Sequence, residues 1–299
     1  MRRLLAANTV SIREGNFTDV LKLTLLDWTS EFSHPKAQKF VSYIAGWLLT
    51  LSWLCGVTSG MFLTGQMVQG AILISNENFN AQPYQVWLLV LAFTFVGYLL
   101  NTVGAKHLAL MEIVVAVFFV LGYAANIIVF WVMSPKNTAS EVFSTFTNGD
   151  GWPNFGFGIL TAQTSALYLI IGSDGAAHMA EETQDAAVSV PRGIVSSYFI
   201  GSVSGLVMLV TYCFCFTEDA LESGTGFAFM AVYQRTTGSN SAALALTAVL
   251  IILTFFSAVN FMASASRQTY AFARDGGLPW SNAIATASIF ATQLNVSFS

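Results

Sequence analysis

The chain has 299 residues; 9% are Asp, Glu, Lys or Arg, 55% are hydrophobic, and the formal net charge is −4. A soluble domain carries charge on about a quarter of its positions. A core of ordinary size cannot absorb so much apolar surface, so the composition predicts an integral membrane protein in a lipid bilayer. No basic stripe is present, which argues against nucleic acid as a partner.

The N-terminal segment, residues 1–39, is polar and holds six of the twelve basic residues. No apolar stretch follows Arg2 and Arg3, so the segment does not have the pattern of a secretory signal peptide. We expect it to stay in the cytoplasm, with a short amphipathic helix around residues 17–28. It forms the first predicted domain.

Six apolar segments follow, and they include four runs without Asp, Glu, Lys or Arg, at residues 40–74, 151–173, 193–217 and 236–266. Each of these runs is long enough to cross about 30 Å of hydrocarbon as a helix rising about 1.5 Å per residue. Together the six segments predict a membrane core over residues 40–280, with spans at residues 40–74, 84–101, 108–133, 154–180, 193–217 and 241–271. The first is too long for one perpendicular helix and is expected to tilt or to run past the membrane edge. Residues 281–299 are expected to form a divergent tail.

The basic residues orient these spans, because cytoplasmic loops carry an excess of Lys and Arg. With the N-terminus inside, the opposite side receives only Lys136 and Arg235. The cytoplasmic side receives the other ten: the six in residues 1–39 and Lys106, Arg192, Arg267 and Arg274. The N-terminus is therefore predicted to be cytoplasmic.

No pattern of a catalytic or metal site is found. Cys55, Cys213 and Cys215 lie in apolar segments, and positions two apart, such as 213 and 215, point away from each other on a helix, which favours packing thiols over a metal or redox pair. No nucleophile–base spacing indicates an enzyme and no filter motif indicates a channel. Most of the Trp side chains near span ends are expected to be interfacial anchors: Trp47, Trp53, Trp87, Trp131, Trp152 and Trp280.

The fourth predicted span contains a polar interruption, residues 172–178. An ionised Asp at membrane depth costs about 2.5–3.5 kcal/mol on insertion scales, and Gly172 and Gly175 each weaken a helix by about 1 kcal/mol. Irregular backbone at this depth is tolerated only where it is buried in protein or lines a water-filled cavity. The pattern around Asp174 therefore predicts a broken helix that binds a substrate, as in secondary transporters.

Two alternatives stay open for this segment. The span could instead end near Ile171, which would place Asp174 at the membrane interface. His178 lies one helical turn after Asp174, within reach of an Asp–His contact. Its role is either a proton relay or that of a capping or packing histidine.

Three ordered segments resemble fungal members of the amino acid–polyamine–organocation superfamily, and most closely its GABA-permease and choline-transporter-like group. They read SEFSHPKAQKFVSYIAGWLLTLSWLCGVTSG, GSDGAAHMAEETQDAAVSVPRGIVSSYFIG and SRQTYAFARDGGLPWS. The resemblance covers about residues 28–280 and implies an all-α, inverted-repeat transporter fold, with the six spans as family helices three to eight. Family helices one, two and nine to twelve have no counterpart, so we expect the middle of a permease, truncated at both ends.

The resemblance implies a secondary active transporter for an amino acid or related amine, GABA-like or choline-like, with proton coupling and no cofactor. The plasma membrane and the vacuolar membrane both remain open as its location. Because family helix one would supply the other half of the site, the alternative is a non-transporting fragment or a regulatory partner of a full-length permease.

The resemblance also implies site residues, since it makes the interrupted span the family's sixth helix. Tyr168 takes the position of an aromatic gate, and His178 and Glu181 are candidates for gating or proton relay. The substrate would be held by backbone around the break, at Ile171, Gly172, Ser173 and Asp174.

Overall fold

A computed structural model describes residues 29, 32–76, 78–145, 152–168, 170–178, 183, 185–217, 220, 224–284 and 286. Within these residues the chain consists of helices, turns and connecting segments without a strand, which confirms the predicted all-α class. The expected amphipathic helix at residues 17–28, Glu181 and most of the tail at residues 281–299 lie outside the described residues.

The described helices are α1 (Gln38–Ser75), α2 (Pro83–Thr102), α3 (Leu108–Met133), α4 (Ala139–Ser144), α5 (Phe155–Leu167), α6 (Gly175–His178), α7 (Ala186–Cys215), α8 (Ala228–Thr237) and α9 (Asn240–Arg274). A short 3-10 turn, Ala105–His107, leads into α3. Five of them, α1, α2, α3, α7 and α9, are long and apolar enough to cross a membrane. At about 57 Å, α1 exceeds the hydrocarbon thickness of about 30 Å, as its predicted length implied.

The fourth predicted span, residues 154–180, is not a single helix. Helix α5 ends at Leu167, and the chain resumes helical structure only in the four residues of α6. Between them, hydrogen bonds of turn type join Ile170 to Leu167 and Gly175 to Gly172. The interruption was predicted to begin at Gly172, but regular helix already ends at Leu167. The helix therefore does not reach Ile171, and the break is not confined to residues 172–178.

Helix α7 begins earlier than the predicted fifth span. It starts at Ala186, not at residue 193, and contains Pro191 within its second turn. A proline there removes one backbone hydrogen bond and restricts the residue before it. Ala186, Ala187 and Val188 before it are compatible with helical geometry, so the helix begins seven residues before the predicted start at residue 193.

The centre of the bundle is the antiparallel pair α1 and α9. The contacts run in opposite directions along the two helices: Gly46 lies against Phe272, Gly56 against Phe261 and Gly60 against Ala258. A Cβ placed on Gly60 would lie only 2.8 Å from the Cβ of Ala258. Small residues therefore let the two backbones approach, as in other membrane helix pairs.

The short helix α8 covers one end of this pair and of α3. Its Tyr233 is 2% exposed and donates a hydrogen bond to the Asn126 side chain of α3. Asn126 in turn donates to the Gly122 carbonyl at 2.8 Å. Phe130 stacks on Tyr233 with ring centroids 5.4 Å apart. A polar link surrounded by aromatic packing thus fixes α8 to the bundle.

Candidate functional site

The interrupted helix borders a cavity of about 320 Å³ inside the bundle. Its wall is formed by the break, by α6, and by α1, α3 and α9. The described lining residues are Trp53, Leu108, Glu112, Ile171, Gly172, Gly175, Ala176, Ser257, Asn260, Phe261, Ala263 and Ser264. The break therefore faces a space enclosed by four other parts of the chain, the setting in which irregular backbone at membrane depth is tolerated.

Two glycines of the break pack directly on α9. Gly172 has a φ of 87°, in the left-handed region that side chains rarely adopt, and a Cβ there would lie 3.0 Å from the Phe261 ring. A Cβ on Gly175 would lie 3.4 Å from the Oγ of Ser264. Glycine at position 172 is required by both the backbone turn and the close neighbour.

Only some of the backbone carbonyl groups in the break accept the turn hydrogen bonds described there. The turn hydrogen bonds described between residues 167 and 177 are accepted by the carbonyls of Leu167, Ile170, Gly172 and Asp174. None of those turn bonds is accepted by the carbonyls of Ile171 or Ser173. Of the two, only Ile171 is among the described residues that line the cavity, so its carbonyl is suited to accept a hydrogen bond from a ligand.

A carboxylate also lines the cavity. Glu112 of α3 is half-buried, and its Oε2 accepts a hydrogen bond of 3.1 Å from the Nδ2 of Asn260 on α9. Its Oε1 is buried and has no hydrogen-bond partner among the described residues. Of the described residues that line the cavity, Glu112 is the only charged one.

Trp53 links the cavity to the segment after the break. The indole is 5% exposed, and its ring lies 5.1 Å from Phe261 and 5.0 Å from His178 between centroids. It is thus a buried wall residue, and its expected role as an interfacial anchor is wrong for this position. The sequence held a signal against the anchor role, because Trp53 lies well inside the long first span, but its burial depends on the packing of α1 on α9.

The structure brings only part of the predicted substrate set to the cavity. Ile171 and Gly172 line it. The Ser173 hydroxyl donates to the Ile170 carbonyl at 2.9 Å, so it is used within the turn. Asp174 is half-buried and is not among the lining residues; its carbonyl accepts from the Ala177 amide at 2.9 Å.

The predicted gating residues lie around the cavity rather than in its wall. Tyr168 is 64% exposed, and its hydroxyl lies 3.4 Å from the Oγ of Ser59 on α1. His178 packs on Trp53, and both Asp174 and Arg267 lie within electrostatic range of it. Its Nε2 is buried and has no hydrogen-bond partner among the residues described. The described contacts include no Asp174–His178 hydrogen bond. Glu181 lies outside the described residues.

Sequence reasoning missed Glu112 and Asn260. A signal for Glu112 was available, because a carboxyl group inside a predicted span is costly and marks a functional position by default. It was overlooked because Asp174, with its flanking glycines, gave a stronger local pattern. Asn260 had no signal of its own, since one amide in a small-residue helix is ordinary in membrane bundles.

The fold and this site define an integral membrane protein whose helical bundle contains a broken helix beside an internal cavity. Residues 23–298 match the family model described as amino acid permease. The chain belongs to the amino acid permease family, within the amino acid–polyamine–organocation superfamily, which confirms the resemblance at that level. The match continues to residue 298, past Trp280, where the resemblance was expected to fade.

Individual relatives agree with the family. An uncharacterized amino-acid permease of Schizosaccharomyces pombe is 30% identical over 251 residues, 83% of this chain and 45% of the relative. A second permease of that yeast is 25% identical over 284 residues, 91% of this chain and 51% of the relative. The amino-acid permease BAT1 of Arabidopsis thaliana is 27% identical over 272 residues, 85% of this chain and 52% of the relative.

The chain spans about half the length of these curated relatives. No solved structure matches it significantly. All three of these relatives are named as amino-acid permeases.

Proposed function

We propose that this chain is the core of a secondary active transporter for an amino acid or a related amine. The observation that carries the proposal is the break after Leu167, which opens onto a cavity that residues of α1, α3 and α9 complete. In secondary transporters, broken helices at the interior of the bundle present free backbone groups and helix ends to the substrate. Membership of the amino acid permease family supports the substrate class.

The substrate is held at residues 171–175. Ile171 and Gly172 contribute backbone at the cavity wall, and Gly175 brings α6 close to Ser264. Ser173 and Asp174 lie behind this wall and support the turn, with Tyr168 at its α1 side as a gate. We infer that GABA-like and choline-like compounds are the substrates to test, as the sequence resemblance implies.

Proton coupling is the second part of the proposal. His178 and Glu112 are titratable groups beside the break, and no described residue is a hydrogen-bond partner of the buried Nε2 of His178. A buried unpaired polar atom is costly unless a ligand, water or proton transfer partner uses it at some stage. His178, with Glu181 further along the chain, is therefore the proposed proton relay. The proposed location of the protein is the plasma membrane or the vacuolar membrane, with the N-terminus in the cytoplasm.

Uptake into liposomes tests this function. The chain is reconstituted and supplied separately with radiolabelled GABA, choline and the common amino acids, with and without an inward proton gradient. We expect saturable uptake of at least one compound, stimulated by the gradient. A full-length permease relative reconstituted in parallel is the control, and its uptake without any uptake by this chain would contradict transport by the chain.

A further inference from the structure

The cavity beside the break carries an unbalanced charge at its wall. Glu112 is its only charged lining residue among those the structure describes. Arg267 lies one turn beyond Ser264 on α9 but does not line the cavity, and it acts on His178. A carboxylate facing such a space is stabilised by a cation from outside the wall, because an opposite charge offsets the cost of desolvation.

The Glu112 carboxylate is held in a fixed orientation with one oxygen available. Asn260 donates to Oε2 at 3.1 Å from the neighbouring helix, whereas Oε1 is buried and accepts no hydrogen bond from the part of the chain that the structure describes. Leaving a buried acceptor unpaired is unfavourable, and more so for a charged group. The geometry therefore provides one strong, unused acceptor for an N–H donor.

The rest of the wall suits a small organic cation. The serines Ser257 and Ser264 contribute hydroxyl oxygens, and Trp53 and Phe261 contribute rings. A protonated amine carries N–H donors that a carboxylate and hydroxyl groups can accept. A quaternary ammonium has no N–H and could not use the free oxygen of Glu112.

We propose that Glu112 binds the protonated amino group of the transported compound and that Asn260 positions the carboxylate for it. This inference rests on the proposed function and narrows its substrate class to compounds with a free ammonium group, in preference to choline-like quaternary amines. Glu112 is the ligand-binding group, and Asn260 acts through it.

Equilibrium binding to the purified full chain in detergent tests the assignment, with radiolabelled n-butylammonium as the probe. We expect saturable binding of n-butylammonium. Butyrate should not compete with it, and n-butyltrimethylammonium should compete at least tenfold more weakly than unlabelled n-butylammonium does. Glu112→Gln should weaken binding roughly 10- to 100-fold, the range set by loss of one charge-assisted hydrogen bond.

Two further variants control for folding and for charge in general. Glu141 is an exposed carboxylate in α4 that accepts hydrogen bonds only from Thr138 in the described contacts, so Glu141→Gln should bind n-butylammonium as the unmodified chain does. Glu112→Asp keeps the charge on a shorter side chain and should retain more binding than Glu112→Gln. A single elution peak from size exclusion shows that each variant is folded.

Each remaining outcome contradicts the assignment: no saturable binding to the unmodified chain, equal affinity after Glu112→Gln, or equal competition by the trimethyl compound. The binding assay measures no uptake, so its result does not depend on whether the chain transports the compound. A chain that binds n-butylammonium through Glu112 but moves nothing into liposomes would contradict the proposed function alone.

Discussion

Trp53 of α1 meets His178 of α6 edge to face, with ring centroids 5.0 Å apart and planes at 90°. The same indole lies 5.1 Å from Phe261 of α9, whose ring approaches the position a Cβ on Gly172 would take. One side chain thus contacts the segment after the break and the helix that supports the break itself. This contact joins the cavity wall to the proposed relay.

Trp53→Ala should destabilise the bundle by on the order of 2 kcal/mol. That is less than the approximately 3–5 kcal/mol typical of water-soluble cores, because in lipid the side chain loses packing but little hydrophobic transfer energy. Thermal unfolding in detergent measures the effect. Trp87→Ala is the matched control: Trp87 is 59% exposed to the surroundings, and its removal should change the melting temperature little. Equal losses in the two variants would contradict the role of Trp53 as a wall residue.

Gly172→Ala should destabilise the protein by about 1–3 kcal/mol and reduce uptake. A Cβ at this φ of 87° is strained, and it also meets the Phe261 ring at 3.0 Å. Gly226 has a comparable φ of 76° but no neighbour within 4 Å, so Gly226→Ala isolates the backbone strain. The difference between their unfolding midpoints measures the contact with Phe261. If Gly172→Ala lowered the unfolding midpoint no more than Gly226→Ala does, close packing of the break on α9 would be contradicted.

Gly60→Ala and Gly193→Ala should change stability in opposite directions. At Gly60 the added methyl group lies 2.8 Å from the Cβ of Ala258, so α1 and α9 must separate, at a cost of about 1–3 kcal/mol. At Gly193, within α7, nothing lies within 4 Å, and alanine should gain up to about 1 kcal/mol of helix propensity. Denaturation in detergent with increasing SDS compares the two. A stabilised Gly60→Ala variant would show that the α1–α9 approach is looser than described.

Asp174→Ala should lower uptake at least tenfold while leaving membrane insertion unchanged. Asp174 does not line the cavity, but its carboxylate acts on His178 and it belongs to the turn that shapes the wall. The loss should therefore appear in the maximal rate more than in the apparent affinity. Initial uptake rates in liposomes, normalised to the amount of inserted protein, provide the measurement. Unchanged kinetics would mean that Asp174 is an interfacial residue without a part in transport.

The membrane class and the long helices could be predicted because each rests on a local property, the length and apolarity of a continuous segment. Helix α3 has the bounds given by its hydropathy. The existence of the break was also local, since two glycines and an aspartate interrupt one span. Its extent was not, because the turns after Leu167 depend on how Gly172 packs against Phe261 of α9.

The residues of the cavity wall could not be predicted from the sequence, because they come together only when separate helices pack against each other. Glu112 and Asn260 are separated by 148 positions in the chain, and only the packing of α3 on α9 brings their side chains within 3.1 Å. Trp53 is another such case, since the pairing of α1 with α9 decides that it is buried. Residues whose role is set by a partner helix are not visible in the pattern of their own helix.

The most direct test of the site is the accessibility of Ser257 in liposomes. In a variant whose native Cys55, Cys213 and Cys215 are replaced by Ser, Ser257→Cys should react with a charged methanethiosulfonate reagent, and n-butylammonium should slow that reaction. Leu206→Cys is the control, because Leu206 is 59% exposed on the apolar membrane helix α7 and should not react with a charged reagent. We predict that n-butylammonium slows the labelling of Ser257→Cys and that Leu206→Cys is not labelled. If Ser257→Cys did not react, or if n-butylammonium left its labelling rate unchanged, a substrate site beside the broken helix would be contradicted.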